Sequence, residues 1–220
     1  MGIDHVIIGA RRIDSIRDVL WHEHGFAVIQ GSTHPDGTQG WLVPFDTPDV
    51  QYLEVLTVGN AETLAGSTFG QQFLERTADG PAFLNWAVLS ADIDGDAARL
   101  QSLTGIDPGL ARGESVRADG RRFPWAEAGF EQSWNCPSRP FFLQYGNPAD
   151  RSARVPGDLD RAGHRVVPRH FSAVSVASAS PDLADWWRPY HLPVTVEPAE
   201  YEAVRSVRVR VADGDVDVVL

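Results

Sequence analysis

Two side chains in the first quarter of the chain are of the types that together hold a metal ion or move a proton. His5 lies in a β-rich stretch near the N-terminus, and Glu54 lies in another. Successive side chains of a strand point to opposite faces, so His5 shares a face with Ile7, and Glu54 shares one with Tyr52. If the two strands are neighbours, imidazole and carboxylate meet. Such a pair suits a borderline divalent cation such as Zn, Mn, Ni or Fe. A buried His–Glu hydrogen bond without metal is the alternative.

A second histidine lies in a loop that could supply acid–base chemistry. His34 opens the segment His-Pro-Asp-Gly-Thr, residues 34–38. Histidine is the side chain that changes charge near neutral pH and serves as a general acid or base. Glu54 and His34 are therefore the candidate catalytic groups. The turn chemistry of Pro-Asp-Gly accounts for most of this segment structurally, which leaves a loop-capping histidine as the alternative.

The elements that must position these side chains recur along the chain. A β segment, a helical segment with an apolar face and three further β segments make one βαβββ unit. The pattern returns after 80 residues, and a shorter copy, with its helix at 181–190, appears after 170. The predicted segments are module 1 at 1–58, a helical connector at 59–81, module 2 at 82–146, a linker or loop at 147–169 and a shorter module 3 at 170–220.

The repeat gives His5 and Glu54 counterparts in module 2. Asn85 stands where module 1 has His5, and Gln144 stands where it has Glu54. Neutral amide oxygens are weak ligands for a transition metal, and an open catalytic site normally has three good protein ligands. We expect all four side chains to line one cleft, with His5 and Glu54 as metal ligands and the two amides as substrate contacts.

Module 2 also carries candidate substrate-binding residues of other types. Trp125 and Trp134 bracket an insert before the last β segment of the module and could line a pocket for a flat or apolar ligand. Arg121 could hold a carboxylate or phosphate of the substrate. Core packing for the tryptophans and solvation for the arginine are the competing interpretations.

The composition excludes several classes of function. The 220 residues carry a formal net charge of −11 and no lysine, which argues against a nucleic-acid partner and excludes a Schiff-base lysine. The single cysteine makes neither a disulfide nor a thiolate zinc cluster. No glycine-rich phosphate loop is present, so a nucleotide cofactor is not expected. With no signal peptide and no membrane span in the sequence, we expect a cytoplasmic monomer or homodimer that meets a small-molecule ligand.

The order of several short motifs resembles a known family. They are Ile3-Asp4-His5-Val6, residues 34–38 and Tyr52-Leu53-Glu54 in module 1, and Asp92-Ile93-Asp94, residues 117–121, Trp125 and Pro140-Phe141-Phe142 in module 2. Together they resemble the glyoxalase-like domain family of the vicinal oxygen chelate (glyoxalase/bleomycin resistance/dioxygenase) superfamily. The resemblance implies an α+β fold in which paired βαβββ modules form a cupped mixed sheet around a cleft. It also implies that a divalent metal, where present, is held by the first and fourth strands of each module.

Two functions follow from the residues and the resemblance. One is a small-molecule enzyme of lyase, isomerase or dioxygenase type, with or without a divalent metal, that acts on an oxygen-bearing substrate. The other is a metal-free protein of the bleomycin-resistance type, which binds or sequesters a small molecule in an aromatic cleft. The number of good metal ligands in the cleft discriminates between them.

Overall fold

The computed structural model of the chain describes residues 2–116 and 122–220. Module 1 has the predicted order of one strand, one helix and three strands. Its elements are β1 Ile3–Gly9, α1 Asp14–His24, β2 Ile29–Thr33, β3 Thr38–Pro44 and β4 Tyr52–Val58. Helix α1 ends because Gly25 adopts a φ of 75° and its N–H bonds back to the Trp21 carbonyl, as is common at glycine C-caps.

The connector is helical, and module 2 repeats the order of module 1 with one additional helix. The connector holds α2 Ala61–Ala65 and α3 Thr68–Arg76. Module 2 consists of β5 Ala82–Leu89, α4 Ile93–Thr104, β6 Ala111–Val116, β7 Arg122–Ala128, the additional α5 Phe130–Asn135 and β8 Phe141–Tyr145.

The C-terminal part differs from the prediction in two places. Residues 147–169 were expected to be a linker or loop, but they contain α6 Pro148–Ser152 and α7 Val155–Ala162. Both helices have a proline in the first turn, where its missing N–H costs no hydrogen bond. The helix expected at 181–190 is instead two short 3₁₀ turns, Leu183–Trp186 and Arg188–Tyr190, because Pro189 has no N–H for a continuous helix.

Modules 1 and 2 form one sheet of eight strands. Its order is β2-β3-β4-β1-β5-β8-β7-β6. Strands β1 and β4 pair in parallel, with Ile7 opposite Glu54, and β5 and β8 also pair in parallel. The two modules join through antiparallel β1 and β5 at the centre. The predicted α+β fold, a curled mixed sheet built from paired modules, is therefore confirmed.

The third unit keeps the sequence order of a module but not its strand pairing. Its strands are β9 His170–Ser178, β10 Val194–Pro198, β11 Ala203–Val211 and β12 Gly214–Val219, in the sheet order β10-β9-β11-β12. The first strand, β9, pairs in parallel with the next strand, β10, rather than with the last. The unit is thus a separate small sheet of four strands.

The two faces of the large sheet have different environments. On the outer face, Trp86 and Phe142 pack in one core with α1, α4 and the third unit. The Trp86 ring meets Trp187 edge-on at 5.6 Å between centroids. The inner face carries a second apolar cluster that includes Ile7 and Phe141 and packs against the connector helices. With its outer face covered, the sheet presents its inner face to a ligand.

Candidate functional site

The inner face of the large sheet borders a cleft of about 610 Å³. That volume lies within the range of small-molecule sites. Module 1 contributes mainly polar groups: His5, His34, Asp36, Tyr52 and Glu54. Module 2 and α3 contribute mainly aromatic rings: Phe69, Trp125, Phe130, Phe141 and Tyr145. The cleft therefore combines one polar side with one aromatic side.

His5 is held in one orientation by a buried carboxylate. Strand β1 shifts register against β5 between Ile3 and His5, which leaves Asp4 as the extra residue of a β-bulge. Asp4 Oδ1 lies 2.7 Å from His5 Nδ1, and both side chains are buried. Burial opposes ionisation of Asp4, but the Arg151 guanidinium and the bond to His5 hold its pKa below the ordinary value. Ionised Asp4 can only accept, so His5 Nδ1 carries the proton.

The other nitrogen of His5 faces Glu54. His5 Nε2 lies 3.5 Å from Glu54 Oε2, so imidazole and carboxylate meet across the paired strands β1 and β4. When the ring carries a single proton, that proton lies on Nδ1 and Nε2 directs a lone pair toward a carboxylate oxygen. The Tyr52 ring stacks on the imidazole at 4.9 Å with an interplanar angle of 17°. The ring plane of His5 is thus fixed, and its Nε2 is an acceptor directed into the cleft.

Glu127 is a third ionisable group of the cleft that sequence reasoning did not identify. It lies on β7 opposite Leu143, in the lining of the cleft. Burial raises the pKa of Glu127, and a protonated His5 would offset part of that rise. The alternation Trp125–Glu127 along β7 could have identified it, because a residue two positions from a cleft-facing tryptophan shares its face.

His34 lies in the cleft and is oriented by its own loop. Its Nδ1 is 2.9 Å from Thr38 Oγ1, and that hydroxyl donates to Asp36 Oδ1. The single hydroxyl proton is therefore used, so His34 Nδ1–H donates to Thr38 and Nε2 is left as an acceptor. An added Cβ at Gly40 would lie 3.3 Å from His34 Nε2, so the missing side chain at Gly40 lets the imidazole lie close to β3.

The structure places the predicted aromatic and basic residues differently. Trp125 lines the cleft as expected. Trp134 does not line it but packs behind Phe69, 4.4 Å away between ring centroids, and donates to Gln72. The expectation for Trp134 was wrong because α5 turns the indole toward α3. Arg121 lies outside the described residues.

The two amides predicted from the repeat do not line the cleft. Gln144 points to the outer side and donates to the Ala91 carbonyl over 2.8 Å. The prediction for Gln144 was wrong because Glu54 pairs with Ile7, two residues after His5, whereas Ala87, two residues after Asn85, pairs with Phe141. This register difference turns Gln144 away from the cleft.

Asn85 lies on the inner face but is fully buried beneath the lining. It pairs with Ile7 of β1, which shares its face. Neither polar atom of its amide has a hydrogen-bond partner among the described residues. The expected contact of Asn85 with a ligand is thus not formed in this conformation, and its amide is an unsatisfied polar group next to the site.

Two tyrosines at one end of the cleft remain protonated. Burial raises the pKa of both Tyr52 and Tyr145, and nearby Asp4 raises each further. Their hydroxyl groups are therefore available as hydrogen-bond donors across the neutral range. Within residues 2–116 and 122–220, no three His, Cys, Asp or Glu side chains lie close enough to form a ready metal site.

The sequence matches the family described as glyoxalase-like domain over residues 3–190. The chain belongs to this glyoxalase-like domain family. The match includes modules 1 and 2 and the start of the third unit. No curated protein matches the chain. Among the described helices, none combines the length and the apolar character needed to cross a membrane.

Solved structures align with the chain at low sequence identity. A hypothetical protein from Staphylococcus aureus aligns with a TM-score of 0.66 and 17% identity, over 94% of this chain and 89% of that one. A methylmalonyl-CoA epimerase variant from Streptomyces coelicolor, in complex with 2-nitronate-propionyl-CoA, aligns with a TM-score of 0.42 and 18% identity, over 66% and 96%. The epimerase from Mycobacterium tuberculosis gives 0.39 and 17%, over 66% and 86%. The glyoxalase-like chain thus shares its fold with the Staphylococcus protein along nearly its whole length.

Proposed function

We propose that this glyoxalase-like protein is an enzyme that moves a proton on a small, oxygen-bearing substrate. The observation that carries the proposal is the pair of acceptors, His5 Nε2 and Glu54 Oε2, that face each other over 3.5 Å in the cleft. Two lone-pair-bearing atoms so placed are satisfied by a proton or a cation between them. A protein that only sequesters an apolar ligand gains nothing from two polar acceptors without a donor in its cleft, because polar groups removed from water without a partner cost free energy.

Two side chains of the cleft have the donor atoms that a divalent metal requires. Asp4 bonds to His5 Nδ1, which is the outer-shell arrangement that orients a metal-ligating histidine. Glu54 supplies a carboxylate beside Nε2, and Glu127 lies within the electrostatic reach of His5. His5 and Glu54 would hold the ion, and Glu127, which lines the same cleft, is a candidate for a third ligand. When bound, such an ion acts as a Lewis acid for a substrate carbonyl or enolate oxygen.

The side chains of the cleft divide the remaining tasks. Glu127, whose pKa burial raises, is a candidate to exchange a proton with the substrate. Glu54 and His34 are the further acid–base candidates, His34 through the free acceptor at Nε2. Tyr52 and Tyr145 would donate hydrogen bonds to substrate oxygens, and Trp125 would cover an apolar or flat part of the substrate.

The charge of the cleft favours a bound cation. Four carboxylates line its described part, those of Asp36, Glu54, Glu114 and Glu127. A further carboxylate or phosphate on the substrate would be repelled at such short range unless a positive charge offset it. The lyase, isomerase or dioxygenase type of reaction is a proposal from the family, because a fold does not determine chemistry.

The second candidate function is a metal-free protein that binds or sequesters a small molecule. The aromatic side of the cleft favours it, because Trp125, Phe130 and Phe141 offer a broad apolar surface. The lack of a third ready ligand among the described residues agrees with it too. This candidate predicts ligand binding that is indifferent to metal.

Calorimetric titration with Zn, Mn and Ni discriminates between the two functions. The variant His5→Ala should take up no metal, and Glu54→Gln should bind at least about tenfold more weakly, because imidazole and carboxylate supply most of the affinity. Gln144→Ala is the matched control and should bind as wild type does, because Gln144 points away from the cleft. Equal binding by wild type and His5→Ala would refute the metal site. No binding by wild type would favour the sequestering protein.

A further inference from the structure

The segment between module 2 and the third unit contributes an arginine that contacts the start of the chain. Arg151 of α6 is 6% exposed, and its guanidinium lies 2.5 Å from Asp4 Oδ2. The two residues are 147 positions apart in the sequence. The other oxygen of the same carboxylate holds His5 Nδ1 at 2.7 Å. Arg151, Asp4 and His5 thus form a continuous buried chain that ends at the cleft.

Aromatic contacts fix the guanidinium of Arg151. Its Cζ lies 3.9 Å from the centroid of the Tyr145 ring, and a second nitrogen lies 3.4 Å from the Asp49 carbonyl. A guanidinium that stacks on an aromatic ring and pairs with a carboxylate has little freedom to rotate. Asp4 therefore meets a cation fixed by β8 and by the loop between β3 and β4, and not a mobile surface arginine.

The fixed carboxylate determines which nitrogen of His5 bears the proton. A carboxylate paired with a guanidinium stays ionised and accepts the Nδ1 proton, so that Nε2 faces Glu54 as an acceptor. Without the guanidinium, Asp4 would be a buried charge with no cation, which is costly enough to make it turn away or become neutral. In either case His5 would lose the group that selects its tautomer.

We propose that Arg151 is a positioning residue, which acts through Asp4 to keep His5 in the tautomer whose Nε2 is free to serve the cleft. The proposal deepens the proposed function, because it concerns the same imidazole and rests on that site being the functional one. It assigns a role to residues 147–169, which carry no part of the βαβββ repeat.

Nitrogen NMR of the His5 ring in metal-free protein, at a pH where the ring carries a single proton, tests the proposal. Wild type should show one tautomer, with the proton on Nδ1. Asp4→Asn should move the proton to Nε2, because Arg151 can only donate and therefore takes the amide oxygen, which leaves the amide N–H to donate to Nδ1. Arg151→Met keeps an unbranched side chain of similar length over Tyr145 but removes the charge, and it should give a mixture of tautomers. Arg154→Met is the matched control, because Arg154 approaches the Tyr52 ring at 5.6 Å and pairs with Asp158, not with Asp4. It should keep the single tautomer.

A double variant separates action through Asp4 from a general disturbance. In Asp4→Asn/Arg151→Met both buried charges are absent, so the protein should fold even if Arg151→Met alone does not. Its tautomer populations should shift from Nε2–H toward a mixture relative to Asp4→Asn, because without the guanidinium the amide can present either its oxygen or its N–H to His5 Nδ1. A double variant with the same tautomer populations as Asp4→Asn would overturn the proposal. So would a single tautomer in folded Arg151→Met, or a mixture in Arg154→Met.

The NMR experiment and the metal titration test the positioning role and the metal-dependent function independently. If the single variants lose the tautomer but wild type takes up no metal, the positioning role stands and the metal-dependent function fails. If metal binds through His5 while the tautomer is unaffected by Arg151, only the positioning role fails. Where both hold, Asp4→Asn should weaken metal binding about 10–100-fold, and Arg154→Met should leave it unchanged.

Discussion

His164 accepts a hydrogen bond at Nδ1 from the backbone N–H of Ala27 over 2.9 Å. Its other nitrogen, Nε2, lies 2.9 Å from the Pro44 carbonyl and donates to it. The imidazole is therefore neutral in the folded protein, and a proton on Nδ1 would oppose the N–H of Ala27. Burial accordingly lowers the pKa of His164 below its ordinary value of 6.5.

We expect acid to weaken this attachment of residues 164–168 to module 1. A histidine with a lowered folded pKa contributes its full stability above pH 6.5 and loses it as pH falls toward the folded pKa. Urea unfolding at pH 7.5 and 5.5 should show a larger loss for wild type than for His164→Gln, which does not titrate. His24, whose pKa burial also lowers, is present in both proteins and cancels in the comparison. Equal losses would contradict the prediction.

Gly70 permits the close approach of the two connector helices. An added Cβ would lie 1.7 Å from the Leu64 carbonyl oxygen, whereas at Gly66 the nearest atom would be 3.4 Å away. We expect Gly70→Ala to cost at least about 1–3 kcal/mol through overpacking. Gly66→Ala, as the matched control, should be neutral or gain about 0.4–1 kcal/mol. Chemical denaturation of both variants measures the difference. A Gly70→Ala protein as stable as Gly66→Ala would show that α2 and α3 pack differently.

We expect Glu127 to lower the stability of the folded protein at pH 7, although the proposed function uses its carboxyl group. Burial raises its folded pKa above 4.5, so its contribution to stability is complete below pH 4.5 and lost as pH rises through the folded pKa. Glu127→Gln should therefore raise the Tm at pH 7, by about 2–4 °C for each kcal/mol gained. The gain should vanish near pH 4. Glu114→Gln, at an exposed pair with Arg122, should change the Tm little. If Glu127→Gln lowers the Tm at pH 7, the charged form is stabilised by a partner in the cleft.

Asn85 offers a similar test at the base of the cleft. Both polar atoms of its buried amide lack a hydrogen-bond partner among the described residues. Replacement by leucine removes that penalty and should stabilise the protein by about 1 kcal/mol or more. If the amide meets the substrate after a small rearrangement, Asn85→Leu should also weaken ligand binding, whereas Gln144→Leu should not. Denaturation and ligand titration of both variants check the two effects separately.

Sequence reasoning located the meeting of His5 and Glu54 because two local rules suffice for it. Alternation gives each strand its inward face, and the βαβββ order makes β1 and β4 neighbours. It misplaced Gln144 because a shift of the pairing register in module 2 leaves no mark on the repeat, yet reverses the face of a side chain.

The supporting residues of the site were beyond sequence reasoning for a different reason. Asp4 reaches His5 through a β-bulge, which breaks the alternation on which the sequence argument relies. Arg151 reaches Asp4 from 147 positions away, and no periodicity links two such residues. Contacts of this kind depend on how whole elements dock. They are apparent only in the structure, where α6 follows β8 and lies beside the start of β1.

The third unit makes the site depend on the C-terminus of the chain. Trp86 of β5, the sequence neighbour of Asn85, packs against Trp187 of the third unit. Release of the third unit would therefore expose the outer face of the central strands β1 and β5 to water. We expect β5 and β9 to open as one cooperative unit in hydrogen exchange, with similar opening free energies. The cleft should therefore lose its geometry whenever the C-terminal sheet detaches, although that sheet contributes no residue to the described lining.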